Sequence, residues 1–190
     1  MDPISALGAA SAVIGIVGFA IQLCEVLHKV SGEIKGAHDS LVAAVAIIES
    51  TAESLRLIHQ YLDVESQNQQ SGQQGGLFSK DALIFVKNNA DRCLLVFWRI
   101  EATVLDKSDK NLEGILRVRL AEFDSKARAH PGDLKLSPEP VPQSLSFLGR
   151  LRWPLVAPKL DEFRSQLQFH QQCLSLVFMV ISLGEGQPDV

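Results

Sequence analysis

The chain has 190 residues, of which 46% are apolar and 21% charged, and its formal net charge is −4. Such values suit a single globular domain with a real core and exclude a disordered chain. The mild acidity also excludes the strongly basic footprint of a nucleic-acid binder, although the charge is uneven: residues 1–106 carry 7 basic and 12 acidic side chains, residues 107–190 carry 11 and 10.

The first predicted element is an apolar helix over residues 1–31. After Asp2 no charge appears until Glu25, leaving residues 3–24 as an uncharged run of 22. About 20 apolar residues suffice to cross a bilayer as a helix. The run is rich in Ala, Gly and Ser, so it inserts less strongly than a Leu-rich anchor. It follows an acidic residue, lacks a basic flank and is long for the apolar core of a secretory signal, which argues against one. Pro3 sits where a helix start tolerates proline. Leu7, Ala10, Ile14, Val17, Ile21 and Cys24 alternate steps of three and four, the spacing of a packing seam, so the helix is expected to lie against its neighbours through Leu7, Ile14, Val17 and Ile21. Gly8, Ser11, Gly15 and Gly18 form a second stripe, of small residues. Small residues so spaced let two backbones approach closely, either between helices in lipid or against a neighbour in a soluble bundle. Glycine costs a soluble helix roughly 1 kcal/mol against alanine, so the stripe needs a packing reason.

Gly32 and Gly36 mark a break, after which the second helix carries the seam Leu41, Ala44, Ile48, Thr51, Leu55, Ile58, Leu62. Residues 66–78 include the stretch QNQQSGQQGG, a polar low-complexity loop with no composition for packing. Ser79 is placed to cap the third helix, whose seam reads Leu83, Val86, Ala90, Cys93, Phe97, Ile100, Val104. A shorter helical pattern follows at Leu112, Leu116, Leu120 and Phe123. Residues 130–150 hold Pro131, Pro138, Pro140 and Pro142 and are expected to cross without helix. The last helix is expected to take Pro158 in its first turn, to run along Leu160, Phe163, Leu167, His170, Leu174, Val177 and Ile181, and to end at Gly184. Residues 185–190 read as a tail or linker. None of these segments shows the period of a strand. The fold expected is therefore all-α, an up-and-down bundle of four to five long helices filling residues 1–184.

Chemistry-bearing residues are sparse. Cys24, Cys93 and Cys173 lie far apart in helical patterns without zinc spacing, and read as buried free thiols in a reducing compartment. The histidines are scattered, and His170 falls on a seam, where a hydrogen-bonded core histidine is the usual case. Glu49 and Glu53 lie one turn apart but lack the partners of a di-iron bundle. Gly72, Gly75 and Gly76 lack the Lys-Ser/Thr of a phosphate-binding loop. No catalytic, cofactor or metal residues are expected, and the protein is not expected to be an enzyme. Arg150, Arg152 and Trp153 cluster ahead of the last helix; they suit anionic headgroups or a partner surface, or else Trp153 anchors the segment into the core while the arginines stay solvated.

The opening Met1-Asp2-Pro3-Ile4-Ser5-Ala6-Leu7-Gly8, with its Ala/Val/Gly-rich continuation, resembles the start of the fungal N-terminal domain of STAND proteins, the HeLo-like class. Arg152-Trp153-Pro154-Leu155, followed by Lys159-Leu160, is similar to the Trp-containing start of that family's last helix; Val156-Ala157-Pro158 departs from the charged residues many relatives carry there. The resemblance implies a helical bundle similar to that of the necroptosis executioner pseudokinase. It also implies a place ahead of nucleotide-binding regions in NOD-like receptors or in smaller partner proteins, and a role in programmed cell death, heterokaryon incompatibility or innate immunity. Activated members cluster, and their glycine-bearing first helix targets the plasma membrane; Gly8, Gly15 and Gly18 would be its close-packing face here. Two functions are thus expected in competition. One is a non-enzymatic effector that self-associates and moves from the cytoplasm to membrane lipids. The other is a soluble adaptor that binds a NOD-like-receptor partner through a bundle face.

Overall fold

The computed structural model describes residues 6–33, 38–70, 78–105, 112–129, 136, 138 and 147–184. They form five helices: α1 (Ala6–Glu33), α2 (His38–Gln70), α3 (Lys80–Val104), α4 (Leu112–Ala129) and α5 (Phe147–Gly184). No strand occurs among the described residues, and the fold is all-α. Residues 66–70 of the predicted loop at 66–78 are helical, because α2 continues to Gln70; residues 71–77 and the tail 185–190 lie outside the described residues.

The helix contacts define the arrangement. α1 packs most extensively on α2, α2 on α5, α5 on α3, and α3 back on α1, which closes a four-membered ring. α2 and α3 barely meet, and α1 and α5 do not, so these pairs lie on the diagonals. α4 stands outside the ring and, among the described residues, touches only α1 and α3, along their shared edge.

The seams expected for α2 and α3 are buried at every position: Leu41, Ala44, Ile48, Thr51, Leu55, Ile58 and Leu62 on one, Leu83, Val86, Ala90, Cys93, Phe97, Ile100 and Val104 on the other. Thr51 is tolerated in the core because its hydroxyl donates to the Ile47 carbonyl at 2.7 Å. Leu160, Phe163, Leu167, His170 and Leu174 bury the corresponding face of α5. Ser79 caps α3 as its position suggests, the Ala82 backbone N–H donating to Ser79 Oγ at 3.1 Å.

Two expectations are corrected. α5 starts at Phe147 rather than near Pro158, so residues 147–150 of the expected crossing are helical and both Pro154 and Pro158 lie inside the helix; of residues 130–146 all but 136 and 138 lie outside the described residues. A proline removes the N–H that would bond four residues back, so the carbonyls of Arg150 and Pro154 lose helical donors. Burial of Trp153 between these breaks, at 8% exposure, holds this stretch against the core.

The second correction concerns α1. Of its predicted seam Ala10, Val17 and Cys24 are buried, but Leu7, Ile14 and Ile21 are 39%, 37% and 55% exposed. The core side instead holds Ala9, Val13, Ile16, Phe19, Ala20, Leu23, Leu27 and Val30, all fully buried. α1 is apolar nearly all round, and a helix of that kind is enclosed by its neighbours rather than oriented by one stripe. Each large side chain so buried contributes about 1.5–3 kcal/mol. α1 is therefore a principal source of the bundle's stability.

Candidate functional site

α1 supplies the most distinctive surface of the bundle. Leu7, Ile14 and Ile21 recur at steps of seven, so they share one line along the helix, and exposed Glu25 and His28 continue it past Cys24. Gly18 sits on the same line between Ile14 and Ile21. A Cβ added there would have no neighbour within 4 Å. Gly18 therefore does not serve close helix approach in this bundle; it leaves a gap in the exposed face. The other small residues lie deeper: Ser11 is 4% exposed, Gly15 is buried and Gly8 half-buried. The expected small-residue stripe thus turns from the core at Ser11 and Gly15 to the open side at Gly18.

Residues Ala6–Gly32 contain a stretch of mean hydropathy 2.0, two-thirds of it buried, which by length and composition can cross a membrane. The exposed apolar line and the buried majority belong to one and the same helix.

A groove of about 290 Å³ runs beside this line, between α1 and α2. Val17, Ala20, Cys24 and Ala52 form its floor, and Ile21, Glu49, Glu53 and Arg56 its rim. Arg56 donates two hydrogen bonds to Glu53, at 3.0 and 2.8 Å, and these hold the Glu53 carboxyl below its ordinary range. Burial, reinforced by the negative charge of Glu49, pushes the Cys24 thiol up to about 12. Cys93 is likewise raised to about 12, by burial first and then by neighbouring Cys173. All three cysteines are free; Cys24 and Cys93 are protonated, unreactive core thiols, as their setting in apolar helices suggested, whereas Cys173, also expected to be buried, is half-buried.

The remaining expected residues separate. His170 is a core histidine: its Nδ1 lies 3.4 Å from Asn89 Oδ1, a pairing that the Nδ1–H tautomer satisfies. Burial, then the charge of Arg92, lowers its pKa. Trp153 is buried, so it anchors α5 rather than offering its ring to a surface. The side chains of Arg150 and Arg152 lie outside the described residues. Among the described residues no group of three or more His, Cys, Asp or Glu is arranged to hold a metal ion.

A cluster that sequence reasoning missed joins α3 to α4. Lys87 Nζ donates to Asp91 at 2.6 Å and to Asp124 at 2.8 Å. Arg119 of α4 reaches Glu101 of α3 at 3.6 Å and lies over the Trp98 ring, 4.9 Å from its centroid. Burial pushes Asp91 up to about 6 against the pull of Lys87, while Lys87 stays above its ordinary range because Asp91 and Asp124 outweigh its own desolvation. The spacing of Lys87 and Asp91 is visible in the sequence; nothing there marks Asp124, 37 positions on.

A second apolar surface occupies the end of α5, where Phe169, Leu176, Met179 and Val180 are all more than half exposed. Comparison of the chain with protein-family models, curated proteins and solved structures returns no match.

Proposed function

We propose that this chain is a non-enzymatic effector of the HeLo-like kind, which self-associates and acts on membrane lipids through α1, moving from the cytoplasm to the plasma membrane. One observation carries the reading. A helix long and apolar enough for a bilayer is stored in the bundle with an uncharged apolar line, Leu7–Ile14–Gly18–Ile21, already facing outward. That line gives the helix a first contact with acyl chains before any core contact is broken. Transfer of the rest exchanges burial in protein for burial in lipid, so the apolar side chains lose little on the way.

Gly18→Glu tests this cleanly. The position is open, so the side chain fits the folded bundle, whereas a charge in mid-helix costs about 3 kcal/mol on insertion. The expected result is an unchanged melting temperature with leakage of dye-loaded vesicles reduced by more than about tenfold. Equal leakage from both proteins would remove the membrane reading.

The exposed end of α5 favours a second reading, a soluble adaptor that binds a receptor-type partner through Phe169, Leu176, Met179 and Val180. It predicts loss of partner binding on Leu176→Glu with vesicle leakage absent throughout.

A further inference from the structure

We propose that α4 is a removable cover over the seam between α1 and α3, held shut by a two-point ionic clasp, and that lifting it is the step that frees α1. The second clause rests on the membrane reading above; the first stands without it.

The position of α4 is the starting observation. The four other helices close a ring by themselves, and α4 lies on the outside of one edge, touching α1 and α3 alone among the described residues. Its described apolar anchors are few: Leu116, Phe123 and Ala127 are buried and Leu120 is half-buried, while Ile115 and Val118 face outward. Two ion pairs tie it to α3 beside these anchors. Asp124 takes a hydrogen bond from Lys87, and Arg119 meets the buried carboxylate of Glu101.

On the Lys87 side the clasp is arranged to open without stranding a charge. When Asp124 leaves, Lys87 keeps Asp91 on its own helix, so no buried ammonium is stranded. The apolar core made by α1, α2, α3 and α5 needs none of the four clasp residues. The seam beneath is also connected to α1: Arg119 covers Trp98, and Trp98 meets Phe19 of α1 edge-on, with centroids 6.4 Å apart. Lifting α4 uncovers the flank of Trp98 and with it the α1–α3 contact through Phe19. An apolar cover would be lost only with the core, whereas an ionic one responds to a competing charged surface or to salt.

The test is native-state hydrogen exchange on the full chain, resolved by helix, for the wild type, Asp124→Asn and Arg119→Gln. The expected result is that exchange in residues 112–129 rises by about fivefold or more in each variant, the loss of a partly exposed ion pair, while α2, α3 and α5 are unchanged. In a Trp153→Phe background, Trp98 is the remaining tryptophan, and acrylamide quenching of its emission should rise in parallel. Exchange that rises in all helices together, or not at all, overturns the proposal, because α4 would then be an integral part of the core. Vesicle leakage of the same variants reads the other clause: selective opening of α4 without increased leakage leaves the cover intact as a finding and removes its link to α1.

Discussion

α1 and α4 lie against each other, yet they are held by opposite means. α1 is enclosed on almost every side by apolar packing, with Phe19, Leu23 and Leu27 fully buried. Among its described residues α4 rests on three buried apolar side chains, half-buried Leu120 and two ion pairs at 2.8 and 3.6 Å. Apolar packing is non-directional and large in sum; ion pairs at a partly wet edge are individually small and depend on their surroundings. The helix that carries the membrane-compatible surface is thus deeply built into the fold, whereas α4 has fewer described apolar anchors. The effector reading proposed above needs that division, stable at rest and open to a signal.

The largest expected effect separates the two helices directly. Phe19→Ala removes a fully buried ring and should cost about 3–5 kcal/mol, lowering the single cooperative melt of the whole bundle. Phe123→Ala, on α4, should instead loosen residues 112–129 and leave the main transition nearly in place, as followed by circular dichroism together with hydrogen exchange. Equal losses of global stability would break the comparison.

A smaller effect sharpens the ionic side. The carboxyl of Asp91 sits at about 6 in the folded chain against an ordinary 3.8, so the folded state binds its proton more tightly than the unfolded one. Its contribution to stability is therefore full below pH 3.8 and lost as pH rises through about 6. Asp91→Asn fixes the neutral form. Denaturant titrations at pH 4 and pH 7 should show the variant gaining about 1–3 kcal/mol on the wild type between those values. His170 works in the other direction, its lowered pKa removing stability as pH falls below 6.5, which is why the variant and wild type must be compared rather than either pH profile alone.

The smallest effect lies on α1. Gly18→Ala meets no neighbour and should stabilise the bundle by up to about 1 kcal/mol through helix propensity, measured as a rise in melting temperature. Destabilisation would restore the close-packing role expected for that glycine.

What the sequence made legible follows from the amphipathic character of each helix. α2, α3 and α5 alternate apolar and polar faces, so steps of three and four identified their buried positions from Leu41 to Leu174. α1 has no polar face to contrast with, and the buried Val13, Ile16, Ala20, Leu23, Leu27 and Val30 alternate threes and fours just as the predicted seam does; only the surrounding helices decide which set is inside. The start of α5 was hidden because proline ordinarily marks the first turn, whereas Pro154 and Pro158 are both carried within the helix, with Trp153 packed beneath. The clasp was hidden for another reason: the pairing of Lys87 with Asp124 is set by the docking of two helices across an intervening connection, and no local pattern encodes it. The glycine-bearing helix itself was plain from residues 3–24, but its exposed line and its gap at Gly18 were not.

The central claim is that α1 passes from the core of the bundle into lipid. Hydrogen exchange in the presence of anionic vesicles tests it most directly. The account predicts that amides of residues 6–32 stay protected on vesicles while those of α2, its main packing partner, lose protection as the core empties. If α1 and α2 keep the protection they show in solution while the protein permeabilises the vesicles, α1 has not left the bundle and the claim is contradicted.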